Sequence, residues 1–165
     1  MTGTPDIIDA VLGIEPGSPL DLLRRQRPVQ RERIQSSFDA ALFPTDPRNL
    51  PLSLRAALAR RMSRLWNSDA LADHYLRLAV GGDPETLRVA DPAWDGGNDP
   101  RQRAILRHVD LVTRRPREAT AEDIAALAAQ GLDDRDIVTL AGLIAFVNFQ
   151  ILVVAGLRML GEDAA

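Results

Sequence analysis

The chain has 165 residues, a formal net charge of −3 and no cysteine, which excludes disulfides, thiolate zinc sites, a cysteine nucleophile and a CxxC redox pair. All 20 basic residues are arginine, which also excludes Schiff-base and lysine-general-base chemistry. With 45% hydrophobic and 26% charged residues the composition is globular, and its acidic balance argues against broad nucleic-acid binding.

A chain of this length can bury a core without staples, so one domain over residues 1–165 is expected. The first residues, MTGTPDIIDAV, have no basic n-region or long apolar run; no signal peptide is read, and a cysteine-free chain suits a reducing cytoplasm. Apolar residues recur at helical spacing and predict helices over about 5–13, 29–42, 51–66, 69–80, 100–115, 121–130 and 134–160. The first is expected to open after Thr4 with Pro5 at N1. Residues 1–28 form an N-terminal wrap in which Pro16, Gly17 and Pro19 leave room for one short turn of helix. Residues 82–99 are rich in Gly and Pro and predict a loop, with one possible turn over Glu85–Val89. The TAED run at Thr120 has capping-box form, and Asp133, Asp134 and Asp136 suit a helix start. No sustained alternation, internal repeat or low-complexity tract is present. The expected fold class is therefore all-α, a bundle of about seven helices with a long apolar C-terminal helix.

That last helix carries no charge between Asp136 and Arg158, a run of 21 residues that is long enough to span roughly 30 Å of hydrocarbon. Asn148 and Gln150 would then lie near the bilayer centre, and one arginine at each end gives no orientation signal. The expectation is a helix buried in a core or subunit interface and no membrane partner.

Named catalytic patterns are absent: no GxSxG, Walker A loop, GxGxxG, HExxH or calcium loop occurs. Asp95–Asp99, DGGND, lacks alternating oxygen ligands and reads as a turn, so no metal and no cofactor are expected. Five arginines within Arg24–Arg33 have no aromatic residue among them and are interrupted by Glu32; they read as a solvated face or as intersubunit ion pairs, not a nucleic-acid site. His108 shares a helical face with Ile105, Val109 and Val112 and reads as a core histidine. His74 and Tyr75, one turn from Leu71 and Leu78, are candidates either for packing or for an acid and a hydrogen-bond donor at a pocket edge.

The stretch Leu50–Ala79, LPLSLRAALARRMSRLWNSDALADHYLRLA, resembles the core helix pair of the alkylhydroperoxidase D and carboxymuconolactone decarboxylase superfamily. The closing LDDRDIVTLAGLIAFVNFQILVVAGLRMLG, with Val147, Asn148 and Phe149, resembles the final helix of its peroxidase-related members. The resemblance implies an all-α fold, assembly into trimers or hexamers, and hydroperoxide reduction by a Cys-Cys-Glu-His relay. Placed on this sequence, the relay falls on Ala56, Ser68, Leu71 and Tyr75, and one residue later on Ala57, Asp69, Ala72 and Leu76. Neither register supplies a relay residue, and His74 stands about 100° around the helix from the expected histidine position. Ser68 instead suits the N-cap of the helix beginning at Asp69.

Two functions follow as expectations. One is an accessory or repurposed subunit of an alkylhydroperoxidase-like system, as a homo-oligomer or beside a cysteine-bearing relative. The other is a cysteine-independent acid/base enzyme on a small organic acid or lactone, with Trp66, Ser68, Leu71 and Asn148 lining a pocket for His74 and Tyr75.

Overall fold

The computed structural model describes residues 6–162. Among them are nine α-helices: α1 Ile7–Leu12, α2 Pro19–Arg25, α3 Pro28–Leu42, α4 Leu52–Leu65, α5 Asp69–Ala79, α6 Pro84–Val89, α7 Pro100–Arg114, α8 Ala121–Ala129 and α9 Asp134–Glu162. A 3-10 turn, Pro116–Glu118, joins α7 to α8. No strand forms among the described residues; one isolated bridge links Val80 and Gly82.

Cap chemistry sets most of the helix starts. Asp6 accepts from the amides of Ile8 and Asp9 and opens α1, while the expected start at Thr4 and Pro5 lies outside the described residues. Ser18, Asp83 and Asp99 accept first-turn amides of α2, α6 and α7, each followed by proline at N1, the position where proline's missing N–H costs nothing. The Asp123 carboxylate accepts the Thr120 N–H at 2.9 Å, which is the backward limb of the TAED capping box. The two segments read from sequence as wrap and loop thus each hold a capped short helix, α2 and α6. This raises the helix count above the seven expected.

The α4–α5 hairpin is the centre of the fold. Ala56, Ala57, Leu58 and Ala59 are all fully buried; four consecutive residues point around the whole circumference of a helix, so α4 is enclosed on every side. Its small side chains let α5, α6, α7 and α9 pack close around it. Leu71 and Tyr75 of α5, Ile105 and Val109 of α7, and Leu140, Leu143, Ile144 and Val147 of α9 join the same hydrophobic cluster. Each such side chain contributes about 1.5–3 kcal/mol through burial.

Two buried arginines fasten loops to this centre. Arg61 of α4, 2% exposed, donates through Nε and Nη2 to both carboxylate oxygens of Asp110 on α7, each at 2.6 Å. Its remaining donors reach the Asp91 and Trp94 carbonyls at 2.6 and 2.9 Å. Arg55 donates to the carbonyls of Leu50, Ala41 and Pro47, binding the end of α3 and the following turn to α4. Its partners among the described residues are all carbonyls, and burial lowers its pKa.

Helix α9 is long and apolar enough to cross a membrane, with mean hydropathy 2.4 over its best window, 44% of which is buried in the fold. Its inward face is the lid of the core. Its outward face leaves Val138, Leu152 and Met159 exposed.

Candidate functional site

The resemblance directs attention to the α4–α5 turn. Asn67 adopts φ +54°, the Ser68 N–H reaches the Ser63 carbonyl at 2.8 Å, and the Asn67 N–H reaches that of Arg64 at 3.1 Å. These bonds make a Schellman ending to α4, with asparagine in the left-handed position that it tolerates better than most residues. The Ser68 hydroxyl makes no capping bond, contrary to the expectation from sequence. At Ser68 ψ is 77°, whereas Ser18, which does cap, has ψ 158°; only extended backbone aims a serine hydroxyl at the first-turn amides.

Around this turn the positions on which the resemblance would place a relay are mostly packed into the core. Ala56, Leu71 and Tyr75 are fully buried and Ser68 is 8% exposed. In the alternative register Ala57 and Ala72 are buried, while Asp69 faces solvent.

The Tyr75 hydroxyl is bound to Oε1 of Gln150 on α9, deep in the core. Burial drives the Tyr75 pKa far up, so the phenol stays neutral across the accessible pH range and serves as a hydrogen-bond donor. Beside it, the half-buried His74 ring sits edge-on to Tyr75 at 5.5 Å and to Phe38 at 5.8 Å. Burial, and then the Arg77 charge, lower the His74 pKa, and its Nε2 has no hydrogen-bond partner among the described residues. Gln150 is completely buried, and its Nε2 likewise has no hydrogen-bond partner among the described residues. Tyr75→Phe is therefore expected to destabilise the fold by about 1–3 kcal/mol by leaving the whole Gln150 amide unsatisfied. Chemical denaturation checks this, and Tyr75→Phe combined with Gln150→Leu should recover most of the loss.

Trp66 and Asn148 meet at the surface instead. The indole Nε1 donates to Asn148 Oδ1 at 3.2 Å, and Asn148 Nδ2 donates back to the Ile144 carbonyl at 2.9 Å. The Arg114 guanidinium lies 5.9 Å from the Trp66 ring and donates to the Leu65 carbonyl at 2.9 Å. Two residues along a helix turn by about 200°, so Asn148 and Gln150 leave α9 on opposite flanks. The candidate residues accordingly form two groups: Trp66 with Asn148 in an open corner, and His74 with Tyr75 in packed core. Leu71 belongs to the core cluster. Gln150 is the functional-looking residue that sequence reasoning left unassigned. Its signal was a second amide, beside Asn148, in an otherwise apolar run.

His108 is 6% exposed, and burial lowers its pKa against the opposing pull of Asp123. Three of the five clustered arginines are tied within the chain: Arg24, 7% exposed, pairs with Asp6 at 2.8 Å and Asp9 at 2.7 Å, Arg31 pairs with Asp9, and Arg25 with Asp21 at 2.9 Å, while Arg27 and Arg33 are exposed. A cleft of about 870 Å³ between α7 and α8 is lined by Arg107, Arg114 and Arg115 but also by Asp110, Glu122 and Asp123, a mixed set that selects neither charge. No group of three potential metal ligands occurs among the described residues. Within DGGND, Asp95 accepts the Gly97 N–H at 3.0 Å and Asp99 caps α7, as a turn requires.

No family model matches the chain, and no curated protein matches it. Its backbone is similar to the crystal structure of an uncharacterized peroxidase-related protein from Silicibacter sp. TM1040, with a TM-score of 0.70 and 17% identity over 94% of this chain and 93% of that one. At that identity the likeness is one of fold, and the chain has the all-helical fold of that peroxidase-related protein.

Proposed function

We propose that this chain is a divergent alkylhydroperoxidase-like protein that serves as an accessory or repurposed subunit and has no thiol peroxidase chemistry of its own. The observation that carries the reading is the packing of the relay positions. Ala56 and Leu71 are sealed in the core, and the Tyr75 hydroxyl is committed to Gln150. These positions hold side chains packed into the core, and the one hydroxyl bonded among them, that of Tyr75, ties α5 to α9. The acid/base alternative has less support, because His74 and Tyr75 do not face the open corner at Trp66.

The expected result is that purified protein with a dithiol reductant consumes an alkyl hydroperoxide no faster than buffer. Saturable turnover that survives metal chelation would overturn the proposal.

A further inference from the structure

Arg55 is 2% exposed, and its guanidinium stays charged at any ordinary pH. Its partners among the described residues are three carbonyls, those of Leu50 at 2.5 Å, Ala41 at 2.9 Å and Pro47 at 3.4 Å. A guanidinium has five N–H donors, so one donor on Nη1 and one on Nη2 are left over. Carbonyl dipoles satisfy hydrogen bonds without cancelling the charge, and a buried ion without a counter-ion is costly.

The same side chain stands in the wall of a groove of about 610 Å³ between α3 and α9. The two helices run antiparallel, since Ile34 shares one hollow with Val153 and Leu157 while Ala41 shares this groove with Gly142 and Leu143. The ends of the groove differ. Arg55 and Thr139 lie where α3 finishes and α9 begins, and Ala145, Phe146 and Phe149 line the other end. Asp46 also borders the polar end, but it is exposed and accepts the Arg48 N–H at 3.1 Å, so it is a solvated rim group. From Thr139 to Phe149 the helix rises about 15 Å.

We propose that this groove binds a medium-chain fatty acid, with its carboxylate on the two spare donors of Arg55 and its alkyl chain lying along α9 toward Phe149. The inference rests on the groove and does not depend on the function proposed above. Two oxygens of one planar carboxylate match one donor on each Nη, the geometry in which arginine binds such groups best. The carboxylate supplies the counter-charge that the fold leaves out. An alkyl chain suits the rest of the groove better than a peptide does. Gly142, Leu143, Ala145 and Phe146 all lie within α9, whose mid-helix amides and carbonyls are bonded to one another, so a bound peptide would bury its own backbone groups unpaired.

Calorimetric titration of the full chain with sodium hexanoate, octanoate and decanoate tests this. Binding should be saturable at one site and tighten about fourfold for each added methylene. Decanol should bind about tenfold or more weakly than decanoate, and decylamine should not bind. Ala145→Phe, at an exposed helical position, should keep the parental circular dichroism and weaken decanoate about tenfold or more by filling the tail end. Arg55→Gln should bring decanoate and decanol to similar affinity. Because Arg55 also fastens two loops, Thr139→Glu serves if that variant does not fold: a carboxylate there competes for Arg55 and should weaken decanoate while sparing decanol. Decanol bound as tightly as decanoate by the parent, affinity indifferent to chain length or to Ala145→Phe, or no saturable binding would overturn the proposal. So would tighter binding of an acetylated Leu-Leu-Phe peptide acid than of decanoate, which would give the groove to a protein C-terminus.

Discussion

Arg61→Ala should destabilise the protein by about 3–5 kcal/mol, the usual cost of removing one partner from a buried ion pair. For a chain of this size that lowers the melting temperature by roughly 6–20 °C. The loss has two sources. Asp110 keeps a carboxylate that is one-third exposed and can be partly rehydrated, so the pair alone sets the lower end of the range. The carbonyls of Asp91 and Trp94 lose their donors as well, and the turn between α6 and α7 loses its anchor to α4. Arg61→Lys should recover little, because one ammonium cannot present the planar fork that meets both Asp110 oxygens and the loop together. Asp110→Asn should cost less than Arg61→Ala, since the loop contacts survive. Thermal melts of the three variants check the order. If Arg61→Lys melts within a degree or two of the parent, the fork geometry is not what fastens the loop.

None of this was legible in the sequence, although the helices were. Proline after an aspartate or serine cap, glycine or asparagine at a helix end and apolar spacing are local signals, and they located α4, α5, α7, α8 and α9 to within a residue or two of their ends. The two faces of α9 were hidden for a physical reason. A helix apolar all round gives no periodicity to read, and only the packed neighbours distinguish Val147, fully buried, from Leu152, which is 69% exposed. Arg61 and Asp110 are 49 residues apart, and Tyr75 and Gln150 are 75 apart. Contacts at such separations leave only the hint that a polar residue in an apolar setting needs a partner. Ser68 failed as a cap for a subtler reason: residue type suggested the role, and a backbone angle set by the preceding Schellman turn withheld it.

Stability should fall as the pH drops from about 7 toward 5, and the two histidines should account for the fall. Burial lowers the pKa of both His74 and His108 in the folded chain, while in the unfolded chain each titrates near 6.5. Below that value the unfolded state binds protons that the folded state refuses, so protonation favours unfolding. The loss begins near pH 6.5 and levels off beneath the lowered folded values. At its steepest each histidine contributes about 1.4 kcal/mol per pH unit, so the pair gives at most about 2.7. Asp83, Asp123 and Asp133, whose pKa values are lowered by hydrogen bonds, with nearby arginine adding to the effect at Asp123 and Asp133, act in the same direction but only below about pH 4–5, where unfolded carboxylates begin to protonate. The window between 6.5 and 5 is therefore specific to the imidazoles. In His108, Asp123 stabilises the charged form in opposition to burial. Urea unfolding at half-unit pH steps measures the slope. The pair His74→Gln and His108→Gln should lower stability at pH 8 yet flatten the curve above pH 5. A parent curve already flat there would mean that both rings accept protons in the folded state, and that the unpartnered Nε2 of His74 is open to water after all.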